Sequence, residues 1–191
     1  TYAEVKAETD VCCTSSNAAA VVESLDSETV IFIPDEYLAK NVARETGKHI
    51  IFPSPNGNGA NGASTEIDVQ MIGWEGRCEV HDQFLVEDVE TVRQDYPDVE
   101  VLAHPECRHE VVLAADRVGS TSQILRWVQD APPGASIAIA TELNLVKRLG
   151  DQHPDKRVVF LDDTVCFCAT MNRIDLPHLV WVLESLVDGE V

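Results

Sequence analysis

The 191 residues carry 33 acidic against 14 basic side chains, a formal net charge of −19 at neutral pH. That balance excludes nucleic acid and anionic membrane as partners, since phosphates would be repelled, and it resembles the solvated acidic surface of proteins from high-salt organisms. With 45% hydrophobic residues the chain is no disordered polymer; its length suits one large domain or two small ones.

The longest apolar stretch, Leu176 to Val187, is broken by Glu184 and is amphipathic, so no membrane span is expected. With no secretory signal visible, a cytoplasmic location is the expectation. Six cysteines in such a setting point to metal or redox chemistry rather than a disulfide framework.

In chain order, Tyr2 to Ala7 reads as a helix, and Asp10 to Asn17 as an apolar start turning into a hydroxyl-rich segment. Ala18 to Leu25 reads as a helix, Thr29 to Pro34 as a β-branched strand, Glu36 to Glu45 as a helix and Lys48 to Pro53 as a strand. Ser54 to Ser64, rich in Asn-Gly pairs without apolar periodicity, reads as an exposed loop. Ile67 to Trp74 adds a strand, and the helix Val86 to Tyr96 leads to the strand Val99 to Ala103. That strand ends on His104-Pro-Glu-Cys107; proline has no N–H for the ladder, and open α/β sheets present functional side chains from such carboxyl ends. The strands Ser136–Ala140 and Arg157–Leu161 and a terminal helix, Pro177 to Val187, complete the pattern.

The pattern repeats. Asp116-Arg-Val-Gly-Ser-Thr-Ser-Gln123 lies 106 positions after Asp10-Val-Cys-Cys-Thr-Ser-Ser-Asn17 (116 − 10 = 106). The same offset lays Ser136–Ala140 on Val30–Pro34, Glu142 on Glu36, Glu110 on Glu4 and Val111 on Val5. In the second copy a strand precedes the helix carrying Glu110, so the first copy is expected to lack its opening strand. Alternating strands and helices imply an α/β fold of repeated three-layer αβα units with parallel sheets. The units are expected at residues 1–78, with an insertion at about 54–75, and 79–165; a cysteine loop and helix follow at 166–191.

The hydroxyl clusters Thr14-Ser15-Ser16 and Ser120-Thr121-Ser122 sit at helix starts. Ordinary capping explains either one, and an anion site explains the pair. Each unit closes on a cysteine, Cys78 after Gly76-Arg77 and Cys168 in Cys166-Phe-Cys168. The chain shows no Cys-x-x-Cys, dinucleotide fingerprint, Walker loop or Gly-x-Ser-x-Gly element.

Seven pieces together carry a family resemblance: Ala3-Glu-Val-Lys-Ala7, Thr14-Ser-Ser-Asn-Ala18, Pro34-Asp35, Gly76-x-Cys78-x-Val-His81, His104-Pro-Glu-Cys107, Ser120-Thr-Ser122 and Cys168-x-x-Met171. In this order they resemble quinolinate synthase, the iron–sulfur enzyme of NAD biosynthesis. The resemblance implies three αβα domains around a pseudo-threefold axis, two of them present here. It implies a [4Fe–4S] cluster taking one cysteine from each domain, with one iron open to substrate. The implied reaction is condensation of iminoaspartate with dihydroxyacetone phosphate to quinolinate. L-aspartate oxidase or aspartate dehydrogenase is the implied functional neighbour.

Carried over residue by residue, Cys78 and Cys168 are the cluster ligands. Ser15, His104, Glu106 and Thr121 are the substrate-pocket residues, with His104 and Glu106 moving protons. Cys12, Cys13, Cys107 and Cys166 are not carried over, although Cys166 lies close enough in sequence to compete with Cys168. With two of three cluster cysteines, the chain alone is expected to be inactive or severely impaired. The alternative from another class is a non-catalytic metal- or anion-binding α/β module. The two differ in whether Cys78 and Cys168 meet on the face that carries His104 and Glu106.

Overall fold

Strands and helices alternate along the chain, as the periodicity requires. The structure, a computed structural model, describes residues 1–53, 68–162 and 168–190. The expected Ser54–Ser64 loop and Cys166 lie outside them. In chain order α1 (Ala3–Ala7), α2 (Ala18–Ser24), β1 (Val30–Phe32), α3 (Glu36–Thr46) and β2 (Ile50–Ile51) precede β3 (Met71–Gly73). Then come α4 (Glu79–Asp82), α5 (Val86–Asp95), β4 (Glu100–Ala103), α6 (His109–Ala114) and β5 (Arg117–Val118). The elements α7 (Thr121–Asp130), β6 (Ser136–Ala140), α8 (Leu143–Gln152) and β7 (Arg157–Phe160) follow. A 3-10 turn, Met171–Arg173, leads into α9 (Leu176–Asp188).

The strands form two parallel sheets, a three-stranded one ordered β1-β3-β2 and a four-stranded one ordered β5-β4-β6-β7. In the second sheet the pleat sorts side chains cleanly, because neighbours along a strand point to opposite faces. Val101 and Ala103 of β4 and Ala138 and Ala140 of β6 face the cluster built on Val89, Val92, Val111 and Val112 of α5 and α6. Leu102, Ile137 and Ile139 face Ile124, Val128, Val146 and Leu149 of α7 and α8. That is a three-layer αβα sandwich, and each fully buried leucine or isoleucine in it contributes about 1.5–3 kcal/mol.

The first sheet packs Val30, Phe32 and Met71 against Ala18 and Val22 of α2 and Leu38, Ala39, Val42 and Ala43 of α3. Its other face carries Ile31, 73% exposed. Helix α3 is locally well specified: Asp35 caps it by accepting from the Leu38 N–H at 2.7 Å, and Gly47 ends it at φ 68°.

The repeat holds through β1 and β6 and departs after α3. Beside β6 lies β7, with Ser136 opposite Arg157; beside β1 lies β3, with Val30 opposite Met71. The offset for this strand is therefore 86 (157 − 71), not 106. The strand expected at Lys48 to Pro53 contracts to β2 and sits at the far side of β3. Residues 71–73, counted with the insertion from sequence, are the middle strand of the sheet. Adjacency is decided by which apolar strand buries best between neighbours, and Met71 is fully buried while Ile50 and Ile51 are only half so.

Candidate metal and acid–base site

The carboxyl ends of β3 and β4 deliver the site. After β3 the chain turns at Gly76 so tightly that a Cβ there would sit 2.2 Å from the Pro34 carbonyl oxygen. The Glu36 N–H donates to the Gly76 carbonyl at 2.7 Å, and the Cys78 N–H donates to Asp35 Oδ2 at 3.0 Å. Thus one buried carboxylate caps α3 and holds the main chain of Cys78. Burial, opposed by its backbone hydrogen bonds but reinforced by the nearby Glu106 charge, lifts the Asp35 pKa to about 6.

Cys78 is the residue before α4, and His81 follows three positions later on the same side of that short helix. His81 is 8% exposed. Its Nε2 lies 3.2 Å from Thr141 Oγ1, and its Nδ1 lies 3.2 Å from Glu106 Oε2, close but out of hydrogen-bond alignment. Asp35 and Thr141 occupy equivalent repeat positions (141 − 35 = 106), and they grip the two ends of the same turn.

After β4, Pro105 and Glu106 swing His104 under His81, the rings stacked at 4.4 Å between centroids and 15° between planes. The Glu106 N–H donates to His104 Nδ1 at 3.3 Å, which leaves Nε2–H to face Ser15 Oγ at 3.2 Å. The loops are cross-tied: Asn41 Nδ2 donates to the Pro105 carbonyl at 2.7 Å, and Arg108 Nε to the Asp82 carbonyl at 2.6 Å.

The two imidazoles titrate apart. Burial lowers His81, but the Cys78 sulfur and the Glu106 carboxylate outweigh it and raise its pKa to about 9. Burial and then the charge on His81 push His104 down to about 4. Glu106 is lifted by burial yet held below its ordinary value by His81 and His104. At neutral pH the group holds a cationic His81, a neutral His104 and an ionised Glu106, an acid and a base set apart by environment.

Of the residues singled out from sequence, Cys78, Glu106, His104 and Ser15 come together. Thr121 is exposed as the first residue of α7, where buried Ser120 forms a capping box with Gln123. Cys168 is half-buried, its Sγ accepting from the Met171 N–H at 3.4 Å. Among the described residues, no hydrogen bond or ion pair links Thr121 or Cys168 to the His81 group. Cys107 is fully buried, its thiol donating to the Ala140 carbonyl and its pKa raised by burial, which suits an inert core residue. His81 has no role in the sequence motifs beyond its place in Gly76-x-Cys78-x-Val-His81, although its three-residue spacing from Cys78 is visible there. The part of Thr141 had no local signal.

The donor set fits a thiolate-bound metal centre: Cys78 Sγ, His81 Nδ1 and a Glu106 oxygen lie within 4.8 Å of one another, and that Nδ1 is buried without a hydrogen-bond partner. The family model described as quinolinate synthetase A protein matches residues 1–191. The quinolinate synthase of Streptomyces coelicolor is 50% identical over 186 residues, 93% of this chain and 47% of that protein. Those of Lysinibacillus sphaericus and a Nocardioides species are 43% and 45% identical, over 50% and 49% of their lengths. The chain spans about half the length of the curated relatives it matches.

Proposed function

The chain belongs to the quinolinate synthetase A protein family, and from that we propose that the protein condenses iminoaspartate with dihydroxyacetone phosphate to quinolinate, releasing phosphate and water. The observation that carries this reading is the stacked His81–His104 pair around Glu106, beside the Cys78 thiol. Cys78 and Cys168 would hold a [4Fe–4S] cluster, whose open iron position supplies Lewis-acid polarisation of a substrate oxygen.

The residues supply the proton chemistry. Cationic His81 holds a proton at Nδ1 toward Glu106 and is the acid for a departing oxygen. Glu106, ionised and half-buried, is the base that accepts a substrate proton. Neutral His104 and Ser15 orient substrate oxygens by hydrogen bonds. Thr121, at the start of α7, offers a hydroxyl and helix N–H groups to an anionic substrate group. A cytoplasmic setting and a supplier of iminoaspartate, an L-aspartate oxidase or aspartate dehydrogenase, go with this reading; no described helix is long and apolar enough to cross a membrane.

Anaerobic reconstitution of the full-length protein with iron and sulfide tests it, read by iron and sulfide content and by quinolinate formation. Cys78→Ala and Cys168→Ala should each lose the cluster, whereas Glu106→Gln should keep the cluster and lose turnover. A cluster surviving Cys168→Ala overturns the ligand assignment. Turnover surviving Glu106→Gln overturns the acid–base one.

A further inference from the structure

Helix α4 carries His81 on a turn anchored to the first sheet, yet the second sheet supplies three groups that meet its ring. Glu106 Oε2 stands 3.2 Å from Nδ1, the His104 ring lies nearly parallel at 4.4 Å, and Thr141 Oγ1 stands 3.2 Å from Nε2. Glu106 and His104 have parts in the proposed chemistry; Thr141 has none. It directly follows β6, an inner strand beside β4, and is 3% exposed. The Ala140 carbonyl before it accepts from the His104 N–H at 3.1 Å and from the Cys107 thiol at 3.4 Å. Thr141 and His104 therefore stand on one strand end, and a β-branched side chain with few χ1 choices aims the hydroxyl.

We propose that Thr141 is a positioning residue for the reaction: its hydroxyl fixes the His81 imidazole so that Nδ1 keeps facing Glu106. A hydroxyl suits this place because it both donates and accepts. It accepts from Nε2–H while His81 is charged, and it donates to a bare Nε2 when the one remaining ring proton sits on Nδ1. The ring therefore need not turn as its charge changes, and no substrate contact is asked of Thr141. A methyl group in place of the hydroxyl leaves a buried ring nitrogen without a partner, and such a nitrogen carries a desolvation cost that turning toward another partner relieves. That turn takes Nδ1 away from Glu106. This inference rests on the proposed function, in which His81 is the acid.

The test uses the full-length protein, reconstituted with iron and sulfide. Thr141→Val keeps the shape and removes the hydrogen bond; it should lower kcat about 10-fold while iron content stays unchanged. KM should stay within about twofold of wild type, because the side chain touches no substrate. Thr141→Ser, which keeps the hydroxyl, should bring kcat back to within about twofold. In nitrogen-15 histidine NMR of the cluster-free full-length protein at neutral pH, the His81 Nε2–H proton should exchange slowly with water. Thr141→Val should lose that slow proton and Thr141→Ser should keep it; the wild-type signal is a check free of substitutions. His81→Gln separates the two failures. Turnover lost in His81→Gln but kept in Thr141→Val overturns this inference alone. Turnover kept in His81→Gln overturns the acid assignment of the proposed function, and this inference with it. A freely exchanging Nε2–H in the wild type, a Thr141→Val loss that follows iron content or appears in KM, or a Thr141→Ser no better than Thr141→Val also overturns the inference.

Discussion

His81 and His104 stack with their rings nearly parallel, and two cations so placed would repel strongly at short range. The structure resolves this by giving one ring the carboxylate and the other a backbone N–H on Nδ1. Because the folded-state pKa of His81 is raised from 6.5 to about 9, its contribution to stability is complete below pH 6.5 and is lost as pH rises through about 9. The urea midpoint should therefore fall across that window in the wild type and fall less in His81→Gln. Equal losses in both proteins would show that His81 carries no raised pKa. His104 has the opposite sign: its folded pKa is lowered to about 4, so the unfolded chain binds the extra proton and stability declines as pH falls from 6.5 toward 4. NMR titration of the two imidazoles checks both directions.

At the scale of elements, the turn after β3 and the turn after β1 are zipped together by Asp35, Glu36 and Gly76. Gly76→Ala would drive a methyl group into the Pro34 carbonyl, and neither partner is a flexible side chain that could yield. Unfolding free energy should drop by about 1–3 kcal/mol, as overpacking of a closed contact does. Alkylation of Cys78 should quicken as its main-chain anchor on Asp35 loosens. A variant within about 0.5 kcal/mol of wild type, with unchanged thiol reactivity, would mean that the two turns are not coupled. The cap of α7 was legible in advance, since the Ser120 hydroxyl cluster sits at a helix start, whereas the cap of α3 by Asp35 emerges only in the structure. The neighbour of β1 was not legible, because β2 and β3 are both short and apolar and only burial separates them.

Across the whole molecule, the two sheets meet through polar ties at the site, and α9 lies apart from both. Leu179, Val180, Trp181, Val182, Leu183 and Leu186 of α9 are all exposed, and no residue of that helix is buried. An apolar surface of this kind promotes association and adds nothing to a core it does not touch. Deleting residues 175–191 should leave the unfolding free energy within about 0.5 kcal/mol of the full chain and reduce self-association in analytical ultracentrifugation. A large loss of stability on deletion would show that α9 packs on the sheets in solution.

The sequence by itself determined the α/β class, the parallel sheets and the start of α3, while the proposal that Cys78, Cys168, His104, Glu106, Ser15 and Thr121 share one site came from the family resemblance of its short motifs. These follow from periodicity, capping chemistry and short motifs, all of which act over a few residues. Only the tertiary structure decided that His81 turns Nδ1 toward Glu106, that Thr141 anchors its other nitrogen, and that Ser15 reaches His104 while its repeat partner Thr121 stays exposed. Those outcomes depend on how the two sheets dock. Docking is set by the burial of long-range apolar faces and by polar ties such as Asn41 to Pro105 and Arg108 to Asp82, which no local window of sequence contains.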